Sequence, residues 1–373
     1  MEPLAPHEKV YVDSDFAEDE NHGELCCHEC HGGDPAEADW KKAHEGVVKD
    51  PSYPDPSETC GACHDLIAEN YQNSLHVTLS PYKKIIGQRA GSGNGLPPKV
   101  EEAIGNHCGS CHSSCGTCHI SRPQVVDGGL LDGHLFQKRP PMQQVCTACH
   151  GSRVGQEYLG ENEGLKPDIH KDKYFRCEKC HKAEEMHGDG KDYAHRYQVE
   201  NAPKCLDCHE AIYEPKAENA KNHWVHRDQV SCYVCHSQPY KNCTSCHVGK
   251  DDHGFPYYKT KGSFMNFKIA LNPLRSERRP EKFVTVRHVP VDHDTFGFYA
   301  KGALKNFEAL PTWKYATPHN IRRKTPQNET CNACHGNEEL FLLKKDVAEE
   351  YVKANQGVIV SPERIPLKRP DQP

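Results

Sequence analysis

The stretch Cys108-Gly-Ser-Cys-His-Ser-Ser-Cys-Gly-Thr-Cys-His119 contains the pattern Cys-x-x-Cys-His twice. The same pattern occurs ten times in the 373-residue chain and uses 20 of its 21 cysteines. In chain order the ten motifs are Cys27/Cys30/His31, Cys60/Cys63/His64, Cys108/Cys111/His112, Cys115/Cys118/His119, Cys146/Cys149/His150, Cys177/Cys180/His181, Cys205/Cys208/His209, Cys232/Cys235/His236, Cys243/Cys246/His247 and Cys331/Cys334/His335. A pattern repeated this often decides how the remaining residues can fold.

Each motif has the spacing of a covalent attachment site for haem c. Two thiols three residues apart lie on one side of a helical turn and can reach the two vinyl groups of one porphyrin. The histidine that follows is one position further round and can bind the iron as its proximal axial ligand. The sequence therefore predicts ten covalently attached haem c groups with their iron.

Two other interpretations of the cysteines explain less. Zinc knuckles also use Cys-x-x-Cys, but they give no reason for a histidine directly after the second cysteine. A disulfide framework predicts neither the uniform spacing nor the trailing histidine. Cys26 is left over as a spare thiol, either buried or able to pair between chains. A longer first motif beginning at Cys26 is the alternative register.

The composition limits the fold class. Hydrophobic residues make up only 36% of the chain, which also contains 27 prolines and 28 glycines. Such a chain cannot bury a large core of side chains. We therefore expect a fold that is mainly coil with short α-helices, wrapped around a packed chain of ten haems, with minimal β-structure. Its folding should depend on haem, as in small metalloproteins.

Charge and hydropathy exclude several kinds of partner. The formal net charge is −7, and no basic face indicates nucleic acid. No apolar run reaches the length of a membrane span. No secretory signal is present at the N-terminus. Because covalent haem attachment takes place outside the cytoplasmic membrane, we expect a mature exported chain. It would be extracellular or at the cell surface, otherwise periplasmic.

The motif spacing predicts the domain organisation. We expect an N-terminal tail at 1–25, a two-haem segment at 26–107, an eight-haem core at 108–335, and a C-terminal helix with an extended tail at 336–373. The longest interval without a motif contains the alternating stretch 282–291, which predicts a short β-hairpin. Residues 337–356 have the pattern of a helix capped by Asn337 and ended by Gly357. The acidic, polar residues 1–22 and the proline-containing residues 358–373 have little to bury. Tails of this kind usually fray, and we expect a neighbouring copy of the chain to hold them.

Histidine supplies the second axial ligands. Ten of the 26 histidines are proximal, so sixteen remain for ten irons, and bis-histidine ligation of most haems is expected. The predicted distal ligands are His44, His76, His134, His170, His187, His195, His223, His226, His253 and His319. The next candidates are His288 and His293. His107 directly precedes the third motif, which is expected to constrain it too much to reach another iron, and His28 lies inside the first motif and is expected to face solvent. The tail histidines His7 and His22 are either solvated or ligands to a haem of an adjacent subunit.

Over residues 26–335 the motifs resemble those of multihaem c-type cytochromes. The eight motifs from Cys108 to His335 are similar to an octahaem core of the tetrathionate-reductase and hydroxylamine-oxidoreductase kind. That similarity includes Glu185-Met-His-Gly-Asp-Gly190 and Ala316-Thr-Pro-His-Asn-Ile321. The resemblance implies a catalytic haem with a lysine ligand or a tyrosine link. The sequence has no Cys-x-x-Cys-Lys motif and no marked tyrosine, so no catalytic residue is assigned. The haem density also resembles extracellular cytochromes that polymerise into conductive filaments.

These resemblances give three hypotheses. The first is a non-enzymatic electron conduit that polymerises with other copies of itself and passes electrons to redox proteins or extracellular acceptors. The second is a discrete periplasmic or surface carrier. The third is a reductase or oxidoreductase of a small nitrogen or sulfur compound.

Two weaker signals concern calcium and the propionates. The stretches Asp127–Asp132 and His187–Asp192 could bind calcium through carboxylates, or form plain turns. The cluster Arg275–Arg279 with Lys282 could pair with haem propionates, or form a solvated face.

Overall fold

Short helices and irregular segments dominate the fold. The computed structural model describes residues 4–9, 11–93, 95–109, 113–289 and 291–370. About 37% of the chain is helical and 11% is in strands, which confirms the expected mainly-coil class. The α-helices are α1 (Cys27–His31), α2 (Trp40–Ala43), α3 (Asp65–Gln72), α4 (Leu75–Thr78), α5 (Ser80–Ala90), α6 (Pro98–His107), α7 (Cys115–His119), α8 (Cys146–His150), α9 (Gln156–Leu159), α10 (Cys177–Cys180), α11 (Ala183–His187), α12 (Leu206–His209), α13 (Ala220–His226), α14 (Cys232–His236), α15 (Cys331–Cys334) and α16 (Glu349–Asn355).

Most described motifs form a single helical turn that begins at or next to the first cysteine. Polar caps explain these starts: the Ser114 side chain accepts a hydrogen bond from Thr117 N, and the Thr330 side chain accepts one from Ala333 N. Gly32 ends α1 with φ of 76°, a conformation that glycine adopts without strain. The five-residue motif is thus a complete local unit that presents two thiols and one imidazole.

Motif nine differs, because it lies between two strands. Strand β1 (Tyr240–Cys243) ends at its first cysteine, and β2 (Cys246–Lys250) begins at its second. The expected helical turn is wrong at this motif. Antiparallel pairing accounts for the difference: β1 pairs with β4 (Ser263–Asn266), and β2 pairs with β3 (Pro256–Thr260).

The chain divides into two compact units, each built from separate segments. Unit 1 contains residues 1–82, 108–151 and 176–202, and unit 2 contains residues 83–107, 152–175 and 203–373. Within unit 1, the segment before motif two packs on motif four, since the Ser114 hydroxyl donates to Asp50 at 2.6 Å and Gly116 N donates to Ser52 Oγ at 2.9 Å.

Unit 2 contains a three-stranded antiparallel sheet in place of the expected hairpin. Strand β6 (Phe283–His288) lies between β5 (Ile269–Leu271) and β7 (Trp313–Tyr315). All six residues of β6 are buried, because a central strand is covered on both faces. The alternating stretch therefore predicted the strand correctly, but its partners come from distant parts of the sequence.

The predicted helix over 337–356 is wrong over most of its length. Asn337 caps only a 3₁₀ turn (Glu338–Leu340), after which Phe341–Leu343 is extended and buried. Leu342 N donates to Ile269 O, and Val360 N donates to Leu342 O. These two long-range hydrogen bonds replace the α-helical ladder around Leu342. A second 3₁₀ turn follows at Lys344–Asp346, and α16 is the part of the stretch that is α-helical.

Both tails bind their own chain. In unit 1, Lys9 Nζ donates to Asp127 O, and the Phe16 ring lies edge-on to His134. In unit 2, Gly336 N donates to Pro366 O at 2.7 Å, and Ile365 is buried. The described parts of both tails thus have partners within their own unit, and the expected contact with a neighbouring copy stays a prediction.

Buried apolar side chains are distributed unequally between the units. Of the 33 buried hydrophobic residues described, only Ala68, Tyr71, Leu79 and Val145 belong to unit 1. The rest lie in unit 2, where Val234, Tyr240, Phe283 and others form one cluster. Unit 1 consequently has almost no side-chain core of its own.

Candidate functional site

In each unit, histidines of the motifs lie close to the ring of a second histidine. The ring centroids of His31 and His134 are 6.1 Å apart. Three more pairs in unit 1 are His64 with His22 at 6.4 Å, His119 with His187 at 6.0 Å, and His150 with His76 at 6.4 Å. Unit 2 contains His209 with His170 at 6.1 Å, His236 with His223 at 6.5 Å, and His335 with His226 at 6.1 Å.

This spacing fits one metal ion between two imidazoles. A histidine nitrogen binds a first-row metal at about 2 Å, so two rings on opposite sides of one ion have centroids roughly 6 Å apart. Rings in edge-on packing also reach such distances, as those of Phe16 and His134 do at 6.1 Å, so the argument depends on the presence of a motif histidine in every pair. These seven pairs could therefore hold a metal ion between two imidazoles.

Hydrogen bonds orient these imidazoles. The Nδ1 atoms of His31 and His119 lie 2.7 Å from the carbonyl oxygens of Val48 and Gln137. Donation from Nδ1 leaves the lone pair on Nε2, the atom that would bind iron. Equivalent contacts of Nδ1 are found at His236 with Arg322 O, at His335 with Leu367 O and at His226 with Asn222 O.

Motif six orients its proximal histidine through a carboxylate. His181 follows the end of α10 with an extended backbone, at φ of −85° and ψ of 104°, so the expectation that it continues the helical turn is wrong. Its Nδ1 lies 2.8 Å from Oε2 of Glu185. This acceptor on α11 fixes the ring as carbonyl oxygens do elsewhere. His181 is therefore presented from outside the helix. Its role as a proximal ligand stays a prediction.

Motif five presents its two cysteines unequally. Cys149 lies within α8 and is exposed, whereas Cys146 is partly buried and its thiol contacts that of Cys177. Three residues of an α-helix turn through about 300°, so the two side chains point roughly 60° apart. The expectation that both thiols lie together on one side of the turn is therefore only approximate here. Attachment of a haem edge at Cys149 stays a prediction.

Burial favours the neutral, metal-binding form of several histidines. Desolvation lowers the pKa of His76, His134, His187 and His236. An unprotonated imidazole keeps the lone pair that a metal needs. His170 differs, because its hydrogen bond with Asp168 at 2.8 Å raises its pKa.

Cysteines of different motifs also meet. The thiols of Cys60 and Cys115 hydrogen-bond to each other, which lowers the pKa of Cys60 and raises the pKa of Cys115. No disulfide joins these two cysteines. Similar thiol contacts join Cys146 with Cys177 and Cys205 with Cys232.

The polypeptide leaves much surface uncovered. Its accessible area is 22367 Å², whereas a compact protein of 42.0 kDa is expected to expose about 15,000 Å². Even two separate proteins of half that mass would together expose roughly 18,000 Å². The excess area, together with thiols exposed at Cys27, Cys63 and Cys208, fits a chain that covers large planar groups.

Six of the ten predicted distal histidines lie in these pairs: His76, His134, His170, His187, His223 and His226. The seventh partner is His22, which the sequence placed in a tail. No pattern in the sequence distinguished it, since its position opposite His64 depends on how the tail folds back.

The other four predicted distal histidines make contacts of a different kind. His44 is exposed with Nδ1 2.7 Å from Trp40 O, and His195 stacks on Tyr197. His253 is exposed in the turn between β2 and β3, and His319 Nδ1 lies 2.9 Å from Thr317 O. Their role as iron ligands stays a prediction.

The secondary candidates have protein partners. His288 Nδ1 lies 2.8 Å from Cys243 O and its Nε2 lies 3.1 Å from Thr312 Oγ1. His107 Nε2 lies 2.8 Å from Tyr299 Oη. His293 packs on Phe307, and His7 and His28 are exposed. Motif three cannot be placed in the same way, because Cys111 and His112 lie outside the described residues.

Other kinds of site have little structural support. Within the described residues, no three or more Cys, His, Asp or Glu side chains come together as a metal site made of protein alone. Both predicted calcium stretches form turns: Asp127 lies in a left-handed turn, and Asp189 accepts hydrogen bonds from Lys191 N and the Tyr193 hydroxyl. None of the described helices is long and apolar enough to cross a membrane.

Comparison with known proteins adds no relative. No family model, curated protein or solved structure matches this chain. The functional argument therefore depends on the motifs and on their geometry.

Proposed function

We propose that this chain is a multihaem c-type cytochrome that conducts electrons through ten covalently bound haems. The observation that supports it best is the set of seven facing histidine pairs with centroids 6.0–6.5 Å apart. Two strong axial ligands leave an iron no open position, which suits electron transfer better than catalysis.

The thiol contacts support an order for the haems within each unit. Cysteines bind the vinyl edge of a porphyrin, so two motifs whose thiols touch would bring two porphyrin edges together. In unit 1 this joins motif two to four and motif five to six. Cys30 lies near Cys60, and Cys118 lies near Cys146, so haems at these motifs would extend the two pairs into the series one, two, four, five and six.

In unit 2 the same reasoning gives a shorter series. Cys205 touches Cys232, and Cys235 interacts with Cys334. Motifs seven, eight and ten would therefore follow one another. Such edge-to-edge neighbours are the arrangement that electron tunnelling needs, and the protein supplies their spacing and ligation.

The proposed setting is extracellular or at the cell surface, otherwise periplasmic, with redox proteins or external acceptors as partners. Assembly into a filament remains a proposal based on haem density and on histidines outside the seven pairs, such as His44 and His253. The tails no longer support it, because they bind their own chain. A discrete carrier is the alternative arrangement.

A reductive titration of the purified protein tests the proposal. We expect ten electrons to be taken up per chain, with the absorption bands of low-spin haem c appearing in the reduced protein. A chain that takes up no electrons, or whose metal is zinc, would refute the conduit. Electron microscopy of the same sample then separates filaments from single particles.

A further inference from the structure

Motif nine is built differently from the helical motifs. Cys243 ends β1, while Cys246 and His247 lie on β2, where His247 is opposite Lys259 of β3. The imidazole is therefore presented from a strand. Its surroundings are set by strand pairing and by the loop after β6.

The Nε2 atom of His247 is buried and has no hydrogen-bond partner. No histidine ring faces it in the part of the chain that the structure describes. His112, the one histidine outside that part, is itself a proximal ligand candidate. The nearest charged oxygen is Oδ2 of Asp292, 3.7 Å from Nε2.

The loop that carries Asp292 is fixed against the motif. The Thr295 hydroxyl donates to Cys246 O at 2.6 Å, and Val248 N donates to Thr295 O at 3.1 Å. The Asp292 side chain is only 18% exposed, and Lys261 Nζ lies 4.0 Å from its carboxylate. Asp292 is thus held in place beside the motif histidine.

The distance from Nε2 to the carboxylate suits two atoms on opposite sides of one iron. Metal bonds of about 2 Å to nitrogen and to carboxylate oxygen place such atoms roughly 4 Å apart. A carboxylate is a harder ligand than imidazole, so it binds reduced iron weakly. The sixth position at this motif would then exchange its ligand.

We propose that the haem of motif nine has His247 as its only histidine ligand and an exchangeable sixth position facing Asp292. This inference rests on the proposed haem attachment. The ligands that it would take are small and neutral, of the diatomic type, because the carboxylate repels anions. The exposed Lys261 offsets that repulsion little.

Carbon monoxide is the probe, applied to the reduced full-length protein with all of its haems attached. We expect binding of carbon monoxide at motif nine and a high-spin ferric signal in the oxidised protein by electron paramagnetic resonance. Asp292→His should supply a second imidazole, abolish the high-spin signal from this haem and lower carbon monoxide binding by one per chain. The matched control Asp294→His adds a histidine two residues away and should change neither.

The outcomes separate the two proposals. If ten haems are attached but the wild-type protein is wholly low-spin and binds no carbon monoxide, the open position is refuted and the conduit stands. If carbon monoxide binding is unchanged in a fully haem-loaded Asp292→His variant, the open position at motif nine is also refuted. If no haem is attached, the proposed function itself fails.

Discussion

At the scale of single residues, the facing histidines carry the argument. His31 and His134 are 103 positions apart in sequence, yet their rings lie 6.1 Å apart. Desolvation lowers the pKa of His134 and keeps it available as a ligand. Random placement of histidines would not produce seven such pairs, each containing the histidine of a motif.

Removing one distal histidine should expose one iron. For His134→Ala we expect one additional high-spin haem with all ten haems still attached, because the cysteines and His31 remain. Electron paramagnetic resonance together with the intact mass measures both quantities. The control is His28→Ala, which removes an exposed ring at a variable position of the same motif and should leave the spectrum unchanged. Equal effects of the two substitutions would contradict the pairing.

Spacing in the sequence predicts the proximal ligands and says less about the distal ones. A proximal histidine is fixed by its position directly after a cysteine, so local spacing identifies it. A distal histidine is fixed only by the folded path of the chain. His22 illustrates the limit, since its ring meets that of His64 through the fold of a polar tail.

A second residue-scale prediction concerns the buried ion pair of Arg287 with Glu157. Both side chains are almost fully buried, and Glu157 also accepts a hydrogen bond from His319 N. Glu157→Gln should destabilise unit 2 by about 3–5 kcal/mol, because Arg287 would keep a buried, uncompensated charge. Glu102→Gln breaks the exposed pair with Lys99 and should change the free energy of unfolding far less, because solvent screens that pair. Denaturant unfolding of both variants measures the difference, and equal losses would contradict it.

At the scale of elements, long-range strand pairing overrides local pattern. The stretch 337–347 has helical periodicity, but Leu342 N donates a hydrogen bond to Ile269 O, and Leu342 O accepts one from Val360 N. Burying Phe341 and Leu342 against the sheet outweighs the small helix preference of the segment. Motif nine likewise lies between strands, because β1 pairs with β4 and β2 pairs with β3. The spacing of the motif itself could not reveal these two strand pairs.

The C-terminal segment supplies an element-scale prediction. Leu367 O lies 3.1 Å from His335 Nδ1, and the Pro366 carbonyl binds Gly336 N. Truncation after Ile365 removes both contacts, so we expect the reduction potential of one haem to rise as His335 becomes less basic. A potentiometric titration compares this variant with a chain truncated after Pro370, which should match the full chain. Identical titrations of all three would contradict the contact.

At the scale of the whole molecule, the two units should depend on haem to different extents. Unit 1 buries four apolar side chains among its described residues, while unit 2 contains the sheet and its apolar cluster. In a chain produced without haem attachment, we expect slow amide exchange in β5, β6 and β7 and unprotected amides throughout unit 1. Hydrogen exchange with mass spectrometry measures this, and equal protection of both units would contradict the idea that haems form the core of unit 1.

The central claim is that all ten motifs bind haem covalently, and the most direct test is the intact mass of the denatured protein. The chain should be produced in a host that exports it and attaches haem c outside the cytoplasmic membrane. The account predicts a mass above the 42.0 kDa polypeptide by ten haem groups, retained after unfolding because thioether bonds survive it. A mass equal to the bare chain, or one lowered by the hydrogens lost in disulfide formation, would contradict the account.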